Sequence, residues 1–274
     1  MRTVAALLLS AVALFAQKRI VSTAPAITET LFALGLGDRV VGVSTYCHYP
    51  KEAAARPKIG TYLQPNVESI LRLHPDLVIM EKLAPAALDK LRIAGIRVVQ
   101  ISTGDVRTNL RMIAEIGAAA GEADKGTALE AKVAAELEVL RKSNAILPRK
   151  RIVFVVGRTP DRLDGMVAVG KGSYLNELLQ IAGGENVFAG SPSTYPKISL
   201  EAVIRLRPEV IFDMGDMAET TGVSEAHKRA VEALWHARKD IQARVQAVAS
   251  DVYVVPGPRM VDAVREFRRL IHGR

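Results

Sequence analysis

Two stretches, Glu68-Ser69-Ile70-Leu71-Arg72-Leu73-His74-Pro75-Asp76-Leu77-Val78-Ile79 and Glu201-Ala202-Val203-Ile204-Arg205-Leu206-Arg207-Pro208-Glu209-Val210-Ile211-Phe212, read alike residue by residue. In each, a glutamate opens the last turns of a helical run, arginine follows four residues on and proline seven on. Proline cannot continue a helix, so the chain leaves it there and enters an apolar, β-rich run. A second pair of landmarks agrees, since Glu29 lies six residues before Gly35 and Glu177 six before Gly183. One helix–proline–strand junction in each half marks a chain of two related α/β units.

The rest of each half fits that frame. Arg19–Ser22, Val40–Val43, Leu77–Met80 and Val98–Ile101 read as strands, separated by helical runs at Ile27–Leu34, Val67–Leu73 and Leu83–Ala94. The second half offers strands at Ile152–Val156, Val210–Phe212 and Val252–Val255, with helices at Tyr174–Ile181, Leu200–Leu206 and Met260–Ile271. Strands alternating with helices predict parallel sheets. Between the halves, Leu129, Val133, Leu137 and Leu140 recur at helical spacing within Glu122–Ile146, up to Pro148. A helix of about 20 residues is some 30 Å long, a strut laid across both halves. The expected architecture is therefore α/β, with two Rossmann-like parallel-sheet lobes bridged by one long α-helix. Its segments are a lobe over 17–121, the bridge over 122–148 and a second lobe over 149–274.

The first 16 residues read differently. Arg2 precedes an apolar run, Val4–Leu9 and Ala11–Ala16, too short to span a bilayer comfortably and followed by small residues. This predicts a cleaved signal peptide, with the cut after Ala13 or Ala16, and a soluble periplasmic protein. Composition supports a globular chain, with 49% hydrophobic and 24% charged residues. The net charge of +8 comes from Lys and Arg spread along the chain, without a nucleic-acid motif. No nucleic-acid partner is expected, and the protein is expected to be a monomer.

No catalytic set is legible. Gly165–Gly172 nearly spells a phosphate loop, but Gly172 stands where the residue after Lys171 should be Ser or Thr. The five histidines, His48, His74, His227, His236 and His272, form no pair at metal-ligand spacing. Cys47 and His48 are adjacent, so in extended chain they point to opposite sides, poor geometry for a nucleophile and its base. Binding without catalysis, metal or cofactor is the expectation, with a two-lobed α/β enzyme as the alternative from another class.

In parallel α/β units, ligands collect beyond the carboxyl ends of the strands. Ser44-Thr45-Tyr46-Cys47-His48-Tyr49-Pro50 follows the second strand, Tyr62 follows Gly60-Thr61, and Ser193-Thr194-Tyr195-Pro196 is the second lobe's counterpart. Tyrosine offers a flat apolar face and a hydroxyl, suited to a large planar ligand with a polar edge.

Thr23–Gly35, Val41–Pro50, Gly60–Glu68, Pro75–Val78, Gly183–Phe188 and Pro256–Arg259 together resemble the periplasmic vitamin B12-binding protein family. That family lies within the cobalamin, haem and ferric-siderophore binding components of ABC importers. The resemblance implies a cleft that closes only slightly, a corrinoid cargo and delivery to an inner-membrane ABC permease. It makes Tyr46 a ligand-contacting residue, and Glu68 and Glu201 the surface glutamates, one per lobe, that meet permease arginines. Tyr62, Tyr195, Pro256, Gly257 and Arg259 complete the implied ligand-binding set, and His48 is placed to approach the metal of a corrinoid or haem. Two departures bear on the cargo. Tyr62 replaces a pocket tryptophan, the sole tryptophan being Trp235 in a helical stretch, and Val255 runs into Pro256 where many relatives carry additional residues. Haem or a ferric siderophore is the alternative cargo.

Overall fold

The computed structural model describes residues 19–215, 224–248 and 250–273; the expected signal segment lies outside them. The first half contains β1 (Ile20–Ser22), α1 (Pro25–Ala33), β2 (Val40–Val43), α2 (Lys51–Ala54), α3 (Val67–Arg72), β3 (Leu77–Glu81), α4 (Pro85–Ile93) and β4 (Arg97–Ile101). Then come α5 (Val106–Ala119), α6 (Ala123–Asn144), β5 (Lys150–Gly157), β6 (Val167–Ala168), α7 (Tyr174–Ile181) and β7 (Gly184–Asn186). The chain ends with α8 (Leu200–Leu206), β8 (Val210–Asp213), α9 (Glu225–His236), β9 (Arg244–Ala247) and α10 (Met260–His272).

The first sheet is wholly parallel, in the order β2-β1-β3-β4. The second runs β6-β5-β8-β9, with β7 also on β5; only the β5–β6 pair is antiparallel. Parallel sheets are covered on both faces, so their central strands are apolar throughout. In β5, Ile152, Phe154 and Val156 face the core under α7 and α10, while Val153 and Val155 face the core of Val203 and Trp235. In the first lobe, Ile20, Leu77 and Ile79 join α1 and α5, and Val21 and Val78 join Ile70 and Leu91 on the other face.

The repeat seen in the sequence is geometric as well. Asn66 and Ser199 cap α3 and α8 by accepting the amides of Ser69 and Ala202. Each helix is left through a residue of positive φ, His74 at 43° and Arg207 at 46°, before the proline and the strand.

One expectation needs correction. Val252–Val255 is not a strand: Asp251–Tyr253 is a 3-10 turn whose Val252 amide donates to Ser250. Its side chains are claimed by both cores, Tyr253 by the second lobe and Val255 by the first. The strand beside β8 is β9 instead, an edge segment hidden in the sequence by Arg244 and Gln246. Ala123–Asn144 forms as expected, but α5, unrecognised in the sequence, packs along it. Val106 and Ile113 of α5 enter the second lobe's core, whereas Met112, Ile116 and Ala119 enter the first. Leu129 of α6 packs against both.

The pair meets where Gly117 faces Gly126. A Cβ on Gly117 would lie 2.6 Å from the Gly126 Cα and 2.9 Å from the Glu122 carbonyl oxygen, both backbone atoms that cannot swing aside. Alanine gains about 1 kcal/mol over glycine within a helix, but overpacking a tight contact costs about 1–3 kcal/mol. Gly117→Ala is therefore expected to lower stability by up to about 2 kcal/mol in chemical denaturation. Gly190→Ala, where nothing lies within 4 Å of the added carbon, should leave it unchanged.

Candidate functional site

The loops at the carboxyl ends of the first sheet carry most of the rings expected from the sequence. Tyr46 follows β2, Tyr62 lies in the turn before α3, and the two rings pack edge to face with centroids 5.7 Å apart. Tyr46 is 41% exposed, so part of its ring remains open to solvent beside Tyr62. Beneath it the loop is fixed from inside. The Cys47 sulfur is buried, accepts the Thr28 hydroxyl at 3.1 Å and bonds the Ser44 hydroxyl, and Lys58 donates to the Cys47 carbonyl. Burial pushes the Cys47 thiol up, which keeps it protonated.

His48 lies partly buried in the same loop, its Nδ1 without a partner among the described residues. Burial holds its imidazole below the usual range, Lys58 adds to that, and Asp251 opposes it. The ring therefore favours the neutral form, the form that can coordinate a metal.

Across from this loop, Tyr195 is 43% exposed and its phenol oxygen accepts the Ser173 hydroxyl. Tyr174, singled out by no motif, is buried at the start of α7 and donates to the Val254 carbonyl. Burial pushes its phenol well up, and the charges of Tyr195, Glu29 and Glu81 push further. Groups of both lobes thus converge on it.

Gly257 and Arg259 also have partners within the protein. Gly257 is buried, and a Cβ there would lie 3.3 Å from the Glu29 carboxylate and 3.7 Å from Ala26, so this segment rests on α1. The Arg259 guanidinium holds both carboxylate oxygens of Glu29, reaches Asp251 at 3.2 Å and stacks 3.9 Å from the Tyr49 ring centroid. Arg259 joins the lobes and has little left for a ligand. Glu29 itself is missed in the sequence, although it is the lone charge in the apolar helix Pro25–Ala33. Glu68 and Glu201 are exposed in the first turns of α3 and α8. The Glu201 carboxyl is held below its usual range by its own backbone amide and the Ser199 hydroxyl.

The second lobe is braced at the same end of its sheet. Asp213, at the end of β8, accepts Arg158 at 2.8 Å, Trp235 at 2.7 Å and the Gly215 amide at 2.7 Å. Trp235 is thereby a buried structural residue. A hollow of about 430 Å³ lies at the opposite end, lined by Lys150, Glu209, Arg244 and His272 among others. Its polar groups are already paired, Lys150 with Glu209, Arg244 with the Leu270 and Ile271 carbonyls, and His272 with that of Ala182.

Burial pushes the Glu29 carboxyl up to about 7 from 4.5, against the pull of Arg259. Between these values the folded protein holds a proton that the unfolded chain has released, so this group's contribution to stability falls as pH rises through the window. Relative to Glu29→Gln, the wild-type thermal midpoint is expected to drop between about pH 5 and pH 8. Parallel curves for the two proteins would contradict the assignment.

The geometry has counterparts in known proteins. The vitamin B12-binding protein of Vibrio parahaemolyticus is 30% identical over 251 residues, covering 91% of this chain and 87% of that protein. The crystal structure of the periplasmic vitamin B12-binding protein of Vibrio cholerae matches with a TM-score of 0.75 and 29% identity, over 93% of this chain and 96% of that one. The apo periplasmic haem-binding protein of Roseiflexus sp. RS-1 matches with a TM-score of 0.78 and 26% identity, over 94% and 98%. With residues 20–250 also matching the periplasmic binding protein family model, the chain belongs to that family, whose members bind substrates for transport and are not enzymes.

Proposed function

We propose that the protein captures a corrinoid between its lobes, outside the inner membrane, and delivers it to an ABC permease. The observation that carries this is the Tyr46–Tyr62 ring pair at the carboxyl ends of the first sheet, in a chain 30% identical to a vitamin B12-binding protein. A partly exposed ring packed against a second ring suits a flat macrocycle, and the neutral His48 imidazole lies two residues on in the same loop, available for its metal. Haem is the second reading, supported by the likeness to the Roseiflexus haem-binding protein; a ferric siderophore is the third. Export through a cleaved signal segment belongs to the same proposal. Among the described residues no helix is long and apolar enough to cross a membrane.

Calorimetry of the purified protein against cyanocobalamin, haemin and ferric siderophores tests the cargo. Cyanocobalamin is expected to bind most tightly, and Tyr46→Ala to weaken it at least roughly tenfold, as truncation of a well-packed aromatic anchor does. Submicromolar haemin binding with only millimolar cyanocobalamin binding would reverse the assignment.

Delivery rests on Glu68 and Glu201, which leave the two lobes on matching capped helices. Replacing both by Lys sets like charges against permease arginines, at a cost of several kcal/mol. The double variant is expected to lose uptake in cells while retaining wild-type affinity for the cargo in solution.

A further inference from the structure

Glu81 ends β3, the inner strand of the first sheet, at the same carboxyl edge that carries the Tyr46 and Tyr62 loops. Its side chain is half-buried, and among the described residues it has neither a hydrogen-bond donor nor a cation. Other withdrawn carboxylates of this protein are engaged: Asp213 accepts three donors, Glu29 holds Arg259, and Glu177 accepts the Val106 amide. Burial alone pushes the Glu81 carboxyl up, with no opposing partner. Its charge is felt by Tyr62 in the first lobe and by Tyr174 in the second. On the neighbouring strand, which pairs Ser22 with Ile79, the chain continues into Thr23, whose buried hydroxyl also lacks a partner among the described residues.

A carboxylate drawn partly out of water without a partner loses hydration that nothing in the protein replaces, and such a group beside a cleft points to a ligand that supplies the missing donor. We propose that Glu81 is a specificity-determining residue of the cleft, its carboxylate accepting a hydrogen bond from an N–H group on the rim of the cargo. This rests on the cleft being the cargo site, as proposed above, and it discriminates between the candidate cargoes. A corrinoid carries carboxamides around its rim, each able to donate. Haem carries propionates, which at neutral pH offer no donor and are repelled by a carboxylate. Glu81 thereby favours the amide-edged macrocycle by attraction and disfavours the carboxylate-edged one by repulsion, the two routes to specificity.

The test is calorimetry of the wild type, Glu81→Gln and Glu81→Ala against cyanocobalamin and haemin, with thermal midpoints of the ligand-free proteins. Glu81→Ala is expected to weaken cyanocobalamin roughly ten- to a hundredfold, the range for a hydrogen bond to a charged group. Glu81→Gln, which keeps one acceptor oxygen, should fall between it and the wild type, and both variants should bind haemin more tightly. Ligand-free midpoints should hold or rise. Unchanged affinity for both compounds overturns the proposal, as does a loss of affinity accompanied by lower midpoints in both variants, which would make the carboxyl structural. A wild type that binds haemin and ignores cyanocobalamin sinks the corrinoid reading separately. The Glu81 assignment then survives only if Glu81→Gln tightens haemin.

Discussion

Two glutamates in matching places hold this molecule together across its middle. Glu29 in α1 grips Arg259 immediately ahead of α10, and Glu177 in α7 accepts the first amide of α5 at 3.0 Å. Each lies six residues before the glycine that closes its helical run, and each reaches the amino end of a helix continuing from the opposite half. A helix start carries unpaired amides and the positive end of the dipole, so it is where a carboxylate is best accommodated. Among the described residues the two sheets share no hydrogen-bonded strand pair, and their relation depends on these anchors and on the α5–α6 packing between the cores.

The two anchors differ in energetic character. Glu29 and Arg259 are nearly removed from water, with side chains 2% and 14% exposed, and deleting one partner of such a pair leaves an uncompensated charge. Pairs such as Arg162–Asp164, with side chains 71% and 46% exposed, contribute little by comparison. Tyr49 is itself exposed, but its ring lies under the Arg259 guanidinium, so one arginine fastens α1, the Asp251 turn and the ring-bearing loop together. The loop that offers Tyr46 to a ligand is thus tied to the joint between the lobes.

Much of the fold was legible because its signals are local. Proline at 75 and 208, glycine at 35, 95 and 183, and runs such as Ile152–Val156 fix element types without reference to distant residues. Elements that escaped reading depend on tertiary context. The strand β9 has one β-branched residue, Val245, and forms because β8 offers it an open edge. The apolar run Val252–Val255 looks more like a strand than β9 does, yet its side chains are divided between two cores. The helix α5 has apolar residues at helical spacing and was overlooked; that they serve two cores, Val106 and Ile113 the second lobe's and Met112 and Ile116 the first's, shows only in the folded chain. At the site, the rings of Tyr46, Tyr62 and Tyr195 stood out by residue type and position after strands. Arg259 was expected at the ligand, and its bond to Glu29 could not be read, since nothing in the sequence pairs it with a residue 230 positions away. Glu81 was invisible for a related reason: a strand-end glutamate is ordinary until its surroundings prove empty of donors.

The sealed sulfur under the Tyr46 loop bears on how the chain behaves among other thiols. Disulfide exchange proceeds through the thiolate and needs access to a partner sulfur. Cys47 offers neither, being buried, held by the Thr28 and Ser44 hydroxyls and kept protonated. It is also the one cysteine in the chain, so no internal bridge can form and be reshuffled. A folded molecule therefore passes through an oxidising environment chemically silent, and a mixed disulfide at Cys47 would report a molecule whose first lobe had opened.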